Sequence, residues 1–184
     1  MRSIAALTLC FALLAGCSDP KWHMTDISGG MPRLDLRMTE NGRPVTGQTY
    51  RGKVVLLYFG FTHCPDICPT TLANLANVLD RVKSPDVQVL FVTVDPDRDT
   101  PEVLADYTKV FSPQITGLRG SPNQLASLAR TYRVAYEVDK GPPYEVMHAN
   151  TVFVFDRDGR ARLVTTDTSD TAAVADDLKR LLRE

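Results

Sequence analysis

Lys53-Val-Val-Leu-Leu-Tyr-Phe59 is a continuous apolar run that stops at Gly60, and two cysteines, Cys64 and Cys68, follow almost at once. A β-forming run without polar alternation reads as a strand buried on both faces, the kind found inside parallel or mixed sheets. From Pro69 to Val82, Leu72, Leu75, Leu79 and Val82 recur at helical spacing, so a helix follows the cysteines. The pair therefore sits where a central strand delivers the chain to a helix N-terminus. That junction constrains the rest of the fold.

The remaining pattern agrees with it. Val87 to Val94 reads as a second buried strand. Asp99-Thr100-Pro101-Glu102 opens a helix with a capping residue and proline at its first position, and Ser121-Pro122 opens another that runs to about Tyr132. Thr151 to Phe155 is a strand, Asp156-Arg-Asp-Gly159 a turn, and Ala161 to Thr166 its hairpin partner. Asp170 or Thr171 begins a last helix with Val174, Leu178 and Leu181 on one face. This order predicts an α/β fold, a thioredoxin-like mixed sheet flanked by helices.

The first residues follow different rules. Met1-Arg2-Ser3 precedes an apolar run from Ile4 to Leu14 and then Leu14-Ala-Gly-Cys17. A basic start, a short apolar stretch and small residues before a cleavage point describe a secretory signal. The run falls short of the ~20 apolar residues that a spanning helix needs. Leu-Ala-Gly-Cys has the form of a bacterial lipobox, so residues 1–16 are expected to be a lipoprotein signal peptide, with Cys17 lipidated. Polar, glycine-containing residues 17–46 are expected to be a membrane tether, and 47–184 the folded domain.

Of four cysteines, Cys10 then leaves with the signal and Cys17 carries lipid. Four in 184 residues are too few for a disulfide-stapled scaffold. Loss of Arg2 leaves 20 basic against 22 acidic residues, a net charge of −2. Such a chain lacks the basic footprint of a nucleic-acid binder.

Function rests on Cys64-Pro-Asp-Ile-Cys68. Helix N-terminal amides and dipole favour thiolate, the form that binds metal and attacks disulfides. Thioredoxin-type oxidoreductases mostly space their thiols C-x-x-C. One more residue widens the loop enough to seat two sulfurs around an ion, and a disulfide also remains feasible. The chain has three histidines. His63 adjoins Cys64 and should point away from it, His23 lies in the expected tether, and His148 precedes the Thr151–Phe155 strand. The loop before that strand packs beside the cysteine loop in such a sheet, which makes His148 the third ligand. Two thiolates and an imidazole suit Cu(I), and Cu(II) with a further donor. Structural zinc normally takes four protein ligands, and no fourth is evident. Met147 could add an occasional thioether, and Met24, Met31 and Met38 lie near the tether. Asp95 leaves the second strand beside the cysteine loop, where it could orient that loop. A strand-end turn, with Asp99 or Thr100 capping the next helix, accounts for Asp99.

Gly60-Phe-Thr-His-Cys-Pro-Asp-Ile-Cys-Pro69, Thr93-Val-Asp-Pro-Asp-Arg-Asp-Thr-Pro101, Tyr136-Glu-Val-Asp139 and His148 before Val152-Phe-Val-Phe-Asp-Arg-Asp-Gly159 resemble the SCO/SenC family of copper-binding cytochrome c oxidase assembly factors. The resemblance spans roughly Gly47 to Leu182, and Val138 to His148 is its divergent stretch. It implies a thioredoxin-like fold holding one copper through Cys64, Cys68 and His148. It further implies delivery of copper to the dinuclear centre of oxidase subunit II, with another periplasmic copper chaperone as a possible second partner. The expected location is the periplasmic side of the bacterial inner membrane. The alternative is a thiol–disulfide oxidoreductase that keeps the oxidase cysteines reduced, using Cys64 and Cys68 without His148. Peroxide reduction is the weakest reading, because no activating arginine accompanies the thiols.

Overall fold

The computed structural model describes residues 21–184, so the expected signal peptide and Cys17 lie outside the described residues. The chain runs β1 (Thr25–Asp26), β2 (Arg37–Glu40), β3 (Arg43–Thr46), a 3-10 turn, β4 (Val54–Gly60), α1 (Ile67–Val82), β5 (Val87–Thr93) and α2 (Pro101–Lys109). It continues through β6 (Ile115–Arg119), α3 (Pro122–Thr131), β7 (Tyr136–Asp139), β8 (Glu145–His148), β9 (Val152–Phe155), β10 (Ala161–Thr165) and α4 (Thr171–Arg183). The main sheet has the order β1-β10-β9-β4-β5-β6-β2-β3, and β7–β8 form a separate hairpin.

β4 and β5 are buried at every position and pair in parallel, as their unbroken apolar runs require. β9 joins β4 antiparallel, with Leu57 opposite Phe153 and Tyr58 opposite Val152. Side chains alternate across a strand, so Phe153 and Phe155 share one face. There Tyr132, just past α3, packs against both rings at 5.6 and 5.5 Å. Tyr58 points to the opposite face with Phe91, on which Tyr107 of α2 packs at 5.7 Å. α1 lies on that second face and packs against α4.

The helix starts obey local chemistry. Thr100 Oγ1 accepts from the Val103 amide, Ser121 and Gln124 make a reciprocal capping box, and Asp170 accepts from the Ala173 amide. Pro101 and Pro122 occupy first-turn positions whose amides lack helical partners. Pro69 is tolerated in the first turn of α1 for the same reason.

Two expectations change. Residues 17–46 do not form a tether throughout: β1, β2 and β3 lie within that span, and Met24, Leu34, Leu36, Met38 and Val45 are buried. The amides of His23 and Met24 donate to the buried Asp177 carboxylate of α4, which fastens the N-terminal segment to the domain. Tyr132 does the same for the next stretch, accepting from the Asp35 amide and donating to the Arg33 carbonyl. These short strands alternate sparsely in a polar background, so their register comes from the sheet edge they complete. β6 and the β7–β8 hairpin are the other additions. A Cβ on Gly117 would lie 2.8 Å from Leu104 Cβ, so glycine there admits α2 against the sheet while breaking the apolar run. Among the described residues, no helix is long and apolar enough to cross a membrane.

Candidate metal centre

β4 ends at Gly60, and the turn after it, closed by the Cys64 amide on the Phe61 carbonyl (3.3 Å), brings Cys64 to the mouth of α1. Cys68 is the second residue of α1 and fully buried, whereas Cys64 is partly exposed; both are free thiols. The Cys68 amide donates to Cys64 Sγ at 3.4 Å, a contact that the helix N-terminus supplies. Glycine at 60 is a packing requirement, since a Cβ would come within 2.5 Å of the Phe91 ring and 3.0 Å of Cys68 Sγ.

His148 ends β8 opposite Tyr136 and brings Nε2 to 3.2 Å from Cys68 Sγ. Its ring stands edge-on to Phe61 (5.7 Å) and Tyr58 (6.1 Å). Nδ1 lies 3.1 Å from the Ala149 carbonyl, which can only accept, so Nδ1 carries the proton and Nε2 offers a lone pair. One donor atom from each of Cys64, Cys68 and His148 lies within 4.8 Å of the others. The hairpin that carries His148 is fastened on its outer side. Tyr144 donates to Asp95 Oδ1 (2.7 Å), Arg98 lies over the Tyr144 ring (3.9 Å), and Asp97 pairs with Lys140. Asn150 accepts from Thr71 of α1 (3.2 Å) and donates to the Thr166 carbonyl (3.1 Å).

Burial sets the protonation of the metal-free site. It pushes the Cys68 thiol up to about 12, against a weaker downward pull from the Phe61 backbone hydrogen bond. Burial also lowers His148, so its imidazole is neutral. The helix N-terminus therefore does not make Cys68 a thiolate, because desolvation of the anion outweighs the dipole. The metal-free pair is a thiol donating to a neutral imidazole, and a metal must displace that proton.

The two aspartates exchange roles. Asp95 bonds to Arg98 and Tyr144 rather than to the cysteine loop, and so steadies the hairpin beside His148. The loop is gripped instead by Asp99, wholly buried, whose carboxylate accepts from the Thr62 amide (3.0 Å), Thr62 Oγ1 (2.6 Å) and Thr93 Oγ1 (2.5 Å). Of the two expected caps of α2, Thr100 is the one that serves, which leaves the Asp99 carboxylate to the loop. The missed signal was the hydroxyl of Thr62, two residues before Cys64, facing an acidic segment more than thirty residues away. His63 turns toward Thr62 and Asp99, at 3.1 and 3.6 Å, away from the donor cluster. Met147 is 63% exposed and, by strand alternation, faces away from His148, while Met24 and Met38 are core residues.

Residues 36–183 match the family model described as SCO1/SenC. The chain belongs to that family. The human SCO1 homolog is 41% identical over 128 residues, covering 66% of this chain and 42% of that protein. The cattle SCO2 homolog is 43% identical over 138 residues, covering 71% and 50%. The chain thus spans about half, or less, of the length of these mitochondrial relatives. Among solved structures, apo Sco1 of Thermus thermophilus shares 38% identity at a TM-score of 0.79, covering 90% of this chain and 99% of its own. Copper-bound ScoI of Arabidopsis thaliana shares 34% at 0.76, covering 82% and 98%. The family match begins at residue 36, so β2 and β3 belong to the family domain and the expected start at Gly47 was late.

Proposed function

We propose that this chain is a copper carrier of cytochrome c oxidase assembly, which binds one copper ion as cargo through Cys64, Cys68 and His148. The convergence of two sulfurs and one imidazole nitrogen within 4.8 Å carries the reading. The donor set is soft and borderline, fits Cu(I), and lacks the fourth protein ligand of a structural zinc site. Relatives at 34% and 31% identity, from Arabidopsis thaliana and yeast, have been solved with copper bound.

The receiving partner is subunit II of the oxidase, whose dinuclear copper centre takes the metal by exchange of ligands. His148 leaves first, because it is the donor mounted on a hairpin and the two thiols share one loop. A lipid anchor at Cys17 holds the domain on the periplasmic face of the inner membrane. The lipobox and a Bacillus anthracis family member described as a lipoprotein, 26% identical, support that placement. Thiol–disulfide exchange is the less supported alternative, because burial keeps Cys68 protonated across the neutral range. Anaerobic titration of the reduced protein should give one Cu(I) per chain, and His148→Ala should lower affinity by at least about tenfold. Unchanged affinity in that variant would exclude the three-ligand site.

A further inference from the structure

Under the two sulfurs lies a buried polar atom that the metal-free fold does not use. Tyr58 of β4 is fully buried, and its hydroxyl has no hydrogen-bond partner among the described residues. A buried hydroxyl left unpaired is a net cost, and phenylalanine would fill the same space without it. The ring is not idle, since it packs on Phe91 at 5.9 Å and edge-on to His148 at 6.1 Å. The hydroxyl is the unexplained part.

Tyr58 and Gly60 are two residues apart on β4 and face the same side, where Cys68 Sγ sits only 3.0 Å from where a Gly60 Cβ would be. The groups that act most on the Tyr58 hydroxyl are Cys68 and Thr71, both on α1, with Cys64 a weaker charge beyond them. Thr71 already donates to Asn150. Cys68 Sγ lies 3.2 Å from His148 Nε2, so a thiol there turns its proton to that nitrogen, and a neutral thiol sulfur is a weak acceptor. Copper changes that. It takes the Nε2 lone pair and converts the sulfur to a thiolate, a strong acceptor in a dry pocket.

We propose that the Tyr58 hydroxyl is a donor held ready for the Cys68 thiolate of the metal-loaded site, unpaired in the metal-free chain and paired once copper is bound. It acts through Cys68, so it is a positioning residue, and the inference rests on the copper-carrier reading above. Two thiolates with Cu(I) carry a net charge of −1, and with Cu(II) none. The hydrogen bond therefore stabilises the Cu(I) form more and biases the site toward the reduced ion. Tyr107 supplies the comparison. Its hydroxyl is also buried without a partner among the described residues and feels the charge of both sulfurs, but no hydrogen bond from Cys68 acts on it and its ring packs on Phe91 and Phe111, not on His148.

The test compares the reduced wild-type protein with Tyr58→Phe and Tyr107→Phe. The readouts are metal-free melting temperature, Cu(I) and Cu(II) affinity by chelator competition, and the sulfur-to-Cu(II) charge-transfer band. Tyr58→Phe should melt at or above the wild-type temperature, still bind one copper, and lose about tenfold in Cu(I) affinity with a smaller loss for Cu(II). Its charge-transfer band should move to lower energy, because the sulfur orbital is no longer stabilised by a donor. Tyr107→Phe should leave the band and both affinities at wild-type values. Wild-type band and affinities in Tyr58→Phe would overturn the assignment, as would equal shifts in the two variants. A wild-type protein that bound no copper would instead overturn the carrier function on which the assignment depends.

Discussion

Copper capture by this site must be coupled to proton release, and the coupling has a calculable slope. Burial holds the Cys68 thiol at about 12, so near pH 7 it keeps its proton until the metal takes its place. Ionising it there costs about 7 kcal/mol, at about 1.36 kcal/mol for each of roughly five pH units. The metal–sulfur bond must supply that energy. Each displaced proton makes apparent affinity rise about tenfold per pH unit while the pH stays below the thiol's own value. His148 adds nothing above neutrality, since its lowered value leaves it already deprotonated. Between pH 7 and 9, Cu(I) affinity should therefore rise by at least about one hundredfold from Cys68 alone. Anaerobic competition against a chelator whose own proton dependence has been subtracted would measure it. A flat profile would show that Cys68 either ionises early or does not bind the metal. The same displacement predicts proton uptake by the buffer on loading, measurable as a buffer-dependent heat in calorimetry.

Two substitutions probe the frame around the donors. Asp99→Asn turns an amide NH2 toward donors that now meet a carboxylate oxygen, and should cost about 2–3 kcal/mol in denaturant unfolding with weaker copper binding; a neutral result would refute its role as the clasp of the cysteine loop. Gly60→Ala should cost about 1–3 kcal/mol and displace Cys68 Sγ, read as lost copper stoichiometry, because the new methyl meets the buried Phe91 ring at 2.5 Å.

The features legible in the chain were those decided by neighbours in sequence. β4 announced itself by seven residues with no polar alternation, and α2, α3 and α4 by capping side chains and first-turn prolines. The two cysteines were placed correctly because a strand–turn–helix junction is a local event. What could not be read this way depends on residues far apart in the chain. His148 was inferred from the shortage of histidines, but its 3.2 Å approach to Cys68 depends on a hairpin that carries few buried side chains of its own. That hairpin owes its position to Asp95, Asp97, Arg98, Tyr144 and Lys140, a polar set with no apolar period to reveal it.

By itself, the sequence determined which residue types could hold a soft metal and that two of them stand at a helix mouth, since both follow from local order and donor chemistry. Tertiary structure decided the rest. It drew the strands between residues 25 and 46 into the sheet, because Met24 finds a core only beside β10 and Met38 only beside β6, strands far along the chain. It gave the grip on the cysteine loop to Asp99 instead of Asp95, since only the fold brings Thr62 and Thr93 to one carboxylate. It also reversed the expected ionisation of Cys68, because the cost of burying an anion depends on everything packed around the sulfur, and a helix terminus contributes only one part of that field.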